Sequence, residues 1–100
     1  MDEPNEIIVD LPIDGALDLH TFSPRDLRTL LPDYLSACLE RGILEVRVIH
    51  GKGTGSLRRS VHALLDRDPR VESHRTAPPE RGGWGATLVR LHRSVPASES

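Results

Sequence analysis

The stretch Glu45-Val46-Arg47-Val48-Ile49-His50-Gly51-Lys52-Gly53-Thr54-Gly55-Ser56-Leu57-Arg58 passes from strand periodicity, through a glycine-rich loop, into an amphipathic helical pattern. Val46 and Val48 alternate with Glu45 and Arg47, which gives this strand one apolar and one polar face. A strand covered on both faces reads instead as a continuous apolar run. The expected sheet is therefore covered on one side. Gly51, Gly53 and Gly55 let the backbone turn tightly and approach a ligand. The helix that follows presents free N–H groups and the positive end of its dipole, which together suit a phosphate. Lys52, the chain's only lysine, lies within the loop, and His50 stands at its start. The spacing is neither G-x-x-x-x-G-K-[ST] nor G-x-G-x-x-G, which argues against nucleotide binding by either route. The bland alternative is a plain strand-to-helix connection.

Upstream, Pro12-Ile13-Asp14-Gly15 has turn chemistry, and Ala16-Leu17-Asp18-Leu19-His20 alternates as a strand does. Ser23-Pro24 supplies a helix start, N-cap then first turn. Leu27, Leu30, Leu31, Tyr34, Leu35 and Cys38 follow at spacings of three and four, and Gly42 supplies the stop. Pro32 interrupts this pattern, and an interior proline costs a helix about 3 kcal/mol. A kink or a fresh start near Leu31 is expected. Downstream, the second helix is expected from about Ser56 to Asp66, with Leu57, Val61, Leu64 and Leu65 inward. Val71–Arg75 reads as a third strand, residues 76–83 as a loop and Ala86–Leu91 as a fourth strand.

The order βαβαββ, with two right-handed crossovers running in one direction, puts both helices on one face of the sheet. The expected fold is an α/β two-layer sandwich: a four-stranded mixed sheet with its second face solvated. Residues 13–93 make the domain, residues 1–12 an acidic, weakly ordered arm in which Ile7-Ile8-Val9 could add an edge strand, and residues 94–100 a frayed tail.

One hundred residues with 37% apolar content and one each of Phe, Trp and Tyr bound the core: a single domain packed with Leu, Val, Ile and Ala. The lone Cys38 excludes an intramolecular disulfide and a cysteine-based zinc site. No stretch approaches transmembrane length, and the acidic start Met1-Asp2-Glu3 is the opposite of a signal peptide. The expected setting is cytoplasmic, with no membrane partner and a monomeric chain. Net charge is −2, yet residues 46–100 hold ten Lys/Arg against five acids, and residues 1–45 hold ten acids against three arginines. The basic half contains the glycine-rich loop and is almost all arginine, which suits bidentate phosphate recognition. A GC-rich genome explains the arginine preference equally well, but not the asymmetry.

Ligands in such sheets bind beyond the carboxyl ends of the parallel strands. The first strand ends at His20 and the second at His50, and the loop carrying Arg81-Gly82-Gly83-Trp84-Gly85 lies at that same end. Asp18 and His20 stand two apart and so share a face. A carboxylate beside an imidazole can orient it, raise its pKa or share a metal with it. In the alternative, Asp18 ties down backbone amides and His20 merely ends the strand. His62, His74 and His92 have no partner at useful spacing and read as surface residues. Trp84, between glycines, reads as a hydrophobic plug in preference to a base-stacking platform.

Leu17-Asp18-Leu19-His20, then His50-Gly51-Lys52-Gly53-Thr54-Gly55 with Leu57-Arg58, then Gly83-Trp84-Gly85-Ala86-Thr87 resemble the motif blocks of the Smr (small MutS-related) domain family. The resemblance covers roughly residues 13–91, with blocks in order and spacing, and is to the small stand-alone bacterial form. It implies the fold expected above, nucleic-acid binding and, as in several members, endonuclease activity on DNA or RNA. It places Asp18 and His20 on a motif associated with cleavage. His50, Gly51, Lys52 and Gly53 fall on one associated with binding and cleavage. Thr21 stands where the family usually has glycine. No MutS-type ATPase or clamp region precedes the domain, so mismatch-repair coupling in cis is not expected.

Three functions compete. A nuclease of branched or structured nucleic acid would use Asp18, His20 and His50 for catalysis. Gly51, Lys52, Gly53, Thr54, Gly55, Arg58, Gly83, Trp84 and Gly85 would then form its phosphate and nucleic-acid contacts. Where Asp18 and His20 hold a metal, Mg²⁺ or Mn²⁺ is the expected ion; no other cofactor is expected. A binding-only module would draw affinity from Lys52, Arg58, Arg59 and Arg81. A protein-interaction adaptor is the third. The nuclease is preferred.

Overall fold

Alternation along the strands and three-to-four spacing along the helices assemble into the order β1 (Ala16–Asp18), α1 (Pro24–Glu40), β2 (Glu45–Ile49), α2 (Ser56–Arg67), β3 (Val71–Thr76) and β4 (Ala86–Leu91). The structure, a computed structural model, describes residues 13–19, 21–53 and 55–93. The edge strand considered at residues 7–9, the acidic arm, His20, Thr54 and the tail lie outside the described residues.

The sheet order is β1-β2-β4-β3. β1 runs parallel to β2, with Asp18 opposite Ile49, and β4 is antiparallel to both β2 and β3. Leu17, Leu19, Val46, Val48, Val89 and Leu91 turn to one face, where they meet Leu27, Leu30, Leu31, Tyr34, Leu35 and Cys38 of α1 and Val61 and Leu65 of α2. Leu57 and Leu64 pack at the edge of this core. Both helices therefore cover the same face, as the one-directional crossovers require.

α1 begins as the sequence signals. The Asp26 carboxylate reaches back to accept the Ser23 N–H at 3.2 Å, satisfying one end group. The fresh start expected near Leu31 does not occur; one helix continues through Pro32. Leu30, Leu31, Tyr34 and Leu35 bracket the proline and are each no more than 1% exposed. At about 1.5–3 kcal/mol for each buried side chain, their packing outweighs the roughly 3 kcal/mol the proline costs. Arg70, beyond α2, clasps this point of α1. It bonds the Asp68 carboxylate, the Ser36 hydroxyl and the Pro32 carbonyl. The Tyr34 hydroxyl ties α1 to β1, accepting from Gly15 N–H at 3.1 Å and donating to Ala16 O at 3.3 Å. Burial pushes the Cys38 thiol up to about 11, so this cysteine packs as a small hydrophobe rather than reacting.

The second sheet face departs from the expectation of a fully solvated one. Ala77, Ala86 and Leu88 are buried there with Ile49 against them. The segment after β3, expected as a featureless loop, forms two 3-10 turns, Pro79–Arg81 and Gly83–Gly85. It folds back over β2: Arg47 donates to the Arg81 carbonyl at 3.4 Å, and the Arg81 guanidinium lies 3.7 Å from the Glu45 carboxylate. Gly82 makes this approach feasible. Its φ is +115°, and a Cβ on it would come within 2.7 Å of the Ala86 methyl.

Candidate functional site

The parallel pairing of β1 with β2 brings the ends of both strands to one edge of the sheet, with Leu19 N–H donating to Ile49 O at 2.8 Å. The chain leaves β2 through Gly51, at φ +84°, and enters α2 through Gly55, at φ +89°. Both are left-handed conformations that glycine adopts without strain. The turn Gly83–Gly85 is joined to this loop by its last carbonyl. His50 N–H and Gly51 N–H both donate to Gly85 O at 2.9 Å. A Cβ on Gly85 would lie 3.3 Å from Lys52 Cγ and 3.5 Å from Gly51 backbone, so glycine there permits the close approach. Two segments separated by some thirty residues become one surface.

Beside that seam lies a cleft of about 330 Å³ lined by His50, Gly51, Gly53, Ser56 and Arg58. Ser56 opens α2, so the helix presents its positive end here. Lys52 is exposed at the rim, and the Arg59 guanidinium lies 3.7 Å from where a Cβ on Gly55 would stand. The cleft thus combines the positive end of the α2 dipole with the cations Lys52, Arg58 and Arg59, which equips it to hold a phosphate group.

His50 forms its floor and is buried. Its Nδ1 is 3.1 Å from Gly51 O and its Nε2 is 2.8 Å from Thr87 Oγ1. His62 Nε2 lies 2.9 Å from the same hydroxyl. A carbonyl only accepts, so His50 Nδ1 carries the proton and donates to Gly51 O. Its Nε2 then accepts the Thr87 hydroxyl proton, and His62 Nε2–H donates to Thr87 Oγ1. The His62 ring stands 4.8 Å from that of His74, whose Nε2–H donates to the Asp66 carboxylate at 2.7 Å. Burial holds His50 below the ordinary imidazole range, with Arg58 adding to the effect. Burial, then the neighbouring His74, Arg58 and His50, do the same for His62. Both rings are therefore neutral at pH 7, and both ring nitrogens of His50 are engaged.

His62 and His74 are thus not the unpartnered surface residues their spacing suggested. Their partners are 25 and 8 positions away in sequence, a separation that local periodicity does not reveal. A signal for the chain was present nonetheless. Thr87 is polar at a position that alternates with the apolar inward residues Val89 and Leu91, and His62 follows Arg58 by one helical turn.

Asp18 is exposed and alternates with the buried Leu17 and Leu19, so it projects from the sheet face opposite His50. The described members of the expected catalytic set therefore share an edge but not a side. Among the described residues no three His, Cys, Asp or Glu side chains converge on one point. Arg81 faces Glu45 on the second sheet face, away from the phosphate cleft, because its turn folds back over β2. Trp84 is no plug. Held out between two glycines, it is 61% exposed, with the Arg58 guanidinium 4.3 Å from its ring centre.

The fold and the glycine-rich edge of the sheet have counterparts among known proteins. The Smr domain model matches residues 17–92, and the chain belongs to the Smr domain family. Among solved structures, it superposes on the Smr domain of Thermus thermophilus MutS2 with a TM-score of 0.75 and 37% identity, covering 79% of this chain and 99% of that one. It superposes equally well, TM-score 0.75 at 25% identity, on YdaL, a stand-alone small MutS-related protein from Escherichia coli, covering 91% of this chain and 78% of that one. In sequence it is 37% identical over 79 residues to Endonuclease MutS2 of Halothermothrix orenii. That match takes in 79% of this chain and 10% of the relative, so the chain spans about a tenth of that protein's length. Among the described residues no helix is long and apolar enough to cross a membrane.

Proposed function

We propose that this domain is an endonuclease acting on the phosphodiester backbone of branched or structured DNA or RNA. The observation that carries the proposal is the seam at Gly85 O. It fixes the Gly83–Gly85 turn to the glycine-rich loop, which with the N-terminus of α2 lines the cleft. In this role Lys52, Arg58 and the loop amides bind the phosphate and oppose the charge that builds on it. His50, locked between Gly51 O and Thr87, shapes the loop rather than shuttling protons. Asp18 and His20, two apart at the end of β1, are assigned the general acid and base. One takes the proton of the attacking hydroxyl or water, and the other supplies one to the leaving oxygen. The relatives named Endonuclease MutS2 support the chemistry.

A binding-only module is the second reading, favoured by the projection of Asp18 from the face opposite His50. Incubating the purified chain with supercoiled plasmid and with structured RNA, with and without Mg²⁺ or Mn²⁺, separates the two. The expected result is cleavage that Asp18→Asn and His20→Ala each abolish while binding and thermal melting stay near wild type. Binding without cleavage of any substrate, under either metal, would give the domain to the second reading.

A further inference from the structure

We propose that the Trp84 indole is a stacking platform for one unpaired nucleobase, whose adjoining phosphate is gripped by Lys52 and Arg58. Its premise is the nucleic-acid function above, to which it adds a substrate class: strands presenting an unstacked base beside the phosphate cleft.

Trp84 is the only exposed large hydrophobic side chain among the described residues. A lone exposed apolar residue is ordinary on a protein surface, but the setting of this one is not. Its turn is welded to the phosphate loop through Gly85 O, so the ring stands at a fixed place relative to Lys52. Arg58 lies against the ring, holding the indole by a cation–π contact. Between Lys52, Gly53, Gly55, Arg58 and Trp84 is a second cleft of about 230 Å³. That is below the roughly 300–1,000 Å³ of a small-molecule site, and it suits a single flat ring or a phosphate. Arg58 Nε is buried with no hydrogen-bond partner among the described residues. An aromatic face, two cations and helix-end amides within one side chain's reach match a nucleotide rather than a peptide or a lipid.

The base must be unpaired. In a duplex both faces of each base are covered by its neighbours, whereas an indole can stack only on a ring that has left that stack. The contact is tolerant of base identity, because every base has a π face.

Trp84 is the chain's only tryptophan, so intrinsic fluorescence reports on this residue alone. The intact chain is titrated with single-stranded DNA of about twelve nucleotides, within the usual range of single-strand sites, with RNA of the same sequence, and with the blunt DNA duplex. Single strands are expected to quench the indole strongly and the duplex weakly; quenching by one sugar type alone supports the platform and assigns the polymer. Anisotropy of labelled strands should show Trp84→Ala weakening single-strand binding by about fivefold or more, with Trp84→Phe retaining most of it. Duplex binding with an unquenched indole, or Trp84→Ala within twofold of wild type on single strands, overturns the platform and leaves the wider function standing. Binding to none of the three overturns the platform; if the supercoiled plasmid and the structured RNA are left unbound as well, the wider function falls with it.

Discussion

Thr87→Val removes the hydroxyl on which His50 and His62 both depend and leaves a side chain of nearly the same shape. Thr87 is fully buried on the inward face of β4, so water cannot replace the lost group without opening the sheet. His50 Nε2 loses its only partner among the described residues, and a buried polar atom left unsatisfied costs about 1–3 kcal/mol. His62 is half-buried and can rehydrate, so its loss is nearer the about 0.5–1.5 kcal/mol of an ordinary hydrogen bond. The expected destabilisation is about 2–4 kcal/mol. At roughly 4–8 °C per kcal/mol for a domain of this size, Tm should fall by on the order of 10–30 °C in a calorimetric melt at pH 7.5. Thr87→Ser keeps the hydroxyl and loses one methyl, so it should fall by much less. A valine variant as stable as the serine variant would show that the histidine chain contributes nothing to the fold, and the assignment of His50 as an oriented, neutral ring would go with it.

The pH dependence follows from the same chain. Burial lowers the folded-state pKa of His50 and His62, so the unfolded chain takes up protons first as pH falls. Stability should be full above the ordinary imidazole value of about 6.5 and decline below it, in urea titrations from pH 8 to pH 5; His62→Gln should flatten the decline. Lys52→Ala should weaken duplex binding and reduce the slope of log affinity against log salt by about one, since one phosphate contact is removed. An unchanged slope would leave the loop with a structural part only. Gly82→Ala combines a left-handed φ with a 2.7 Å clash against Ala86; it should lower Tm, while Gly42→Ala, strained in φ but facing open space, should lower it less.

What the sequence disclosed was whatever depends on neighbours in the chain. β2 at Glu45–Ile49 and β4 at Ala86–Leu91 match the expected bounds residue for residue. β1 ends at Asp18, short of Leu19, and α2 was read one residue too short, at ends where fraying decides. Pro32 misled because its local cost was visible and the packing that outweighs it was not. The histidine chain was hidden for the same reason: Thr87 lies 37 positions from His50, and only the antiparallel return of β4 brings them together. Trp84 was misread from composition. An aromatic-poor chain suggests that its one indole fills the core, yet Tyr34 and the leucines already do so.

β4, the last described strand in the chain, occupies an interior position in the sheet, between β2 and β3. Until it is synthesised and docked, β2 and β3 have no ladder between them, His50 and His62 have no shared hydroxyl, and the glycine-rich loop has no Gly85 carbonyl to close on. A nascent chain leaving the ribosome therefore carries its glycine-rich loop in an unassembled form. The fold couples the arrival of β4 to completion of the site, so a fragment broken off before that strand would lack the assembled cleft.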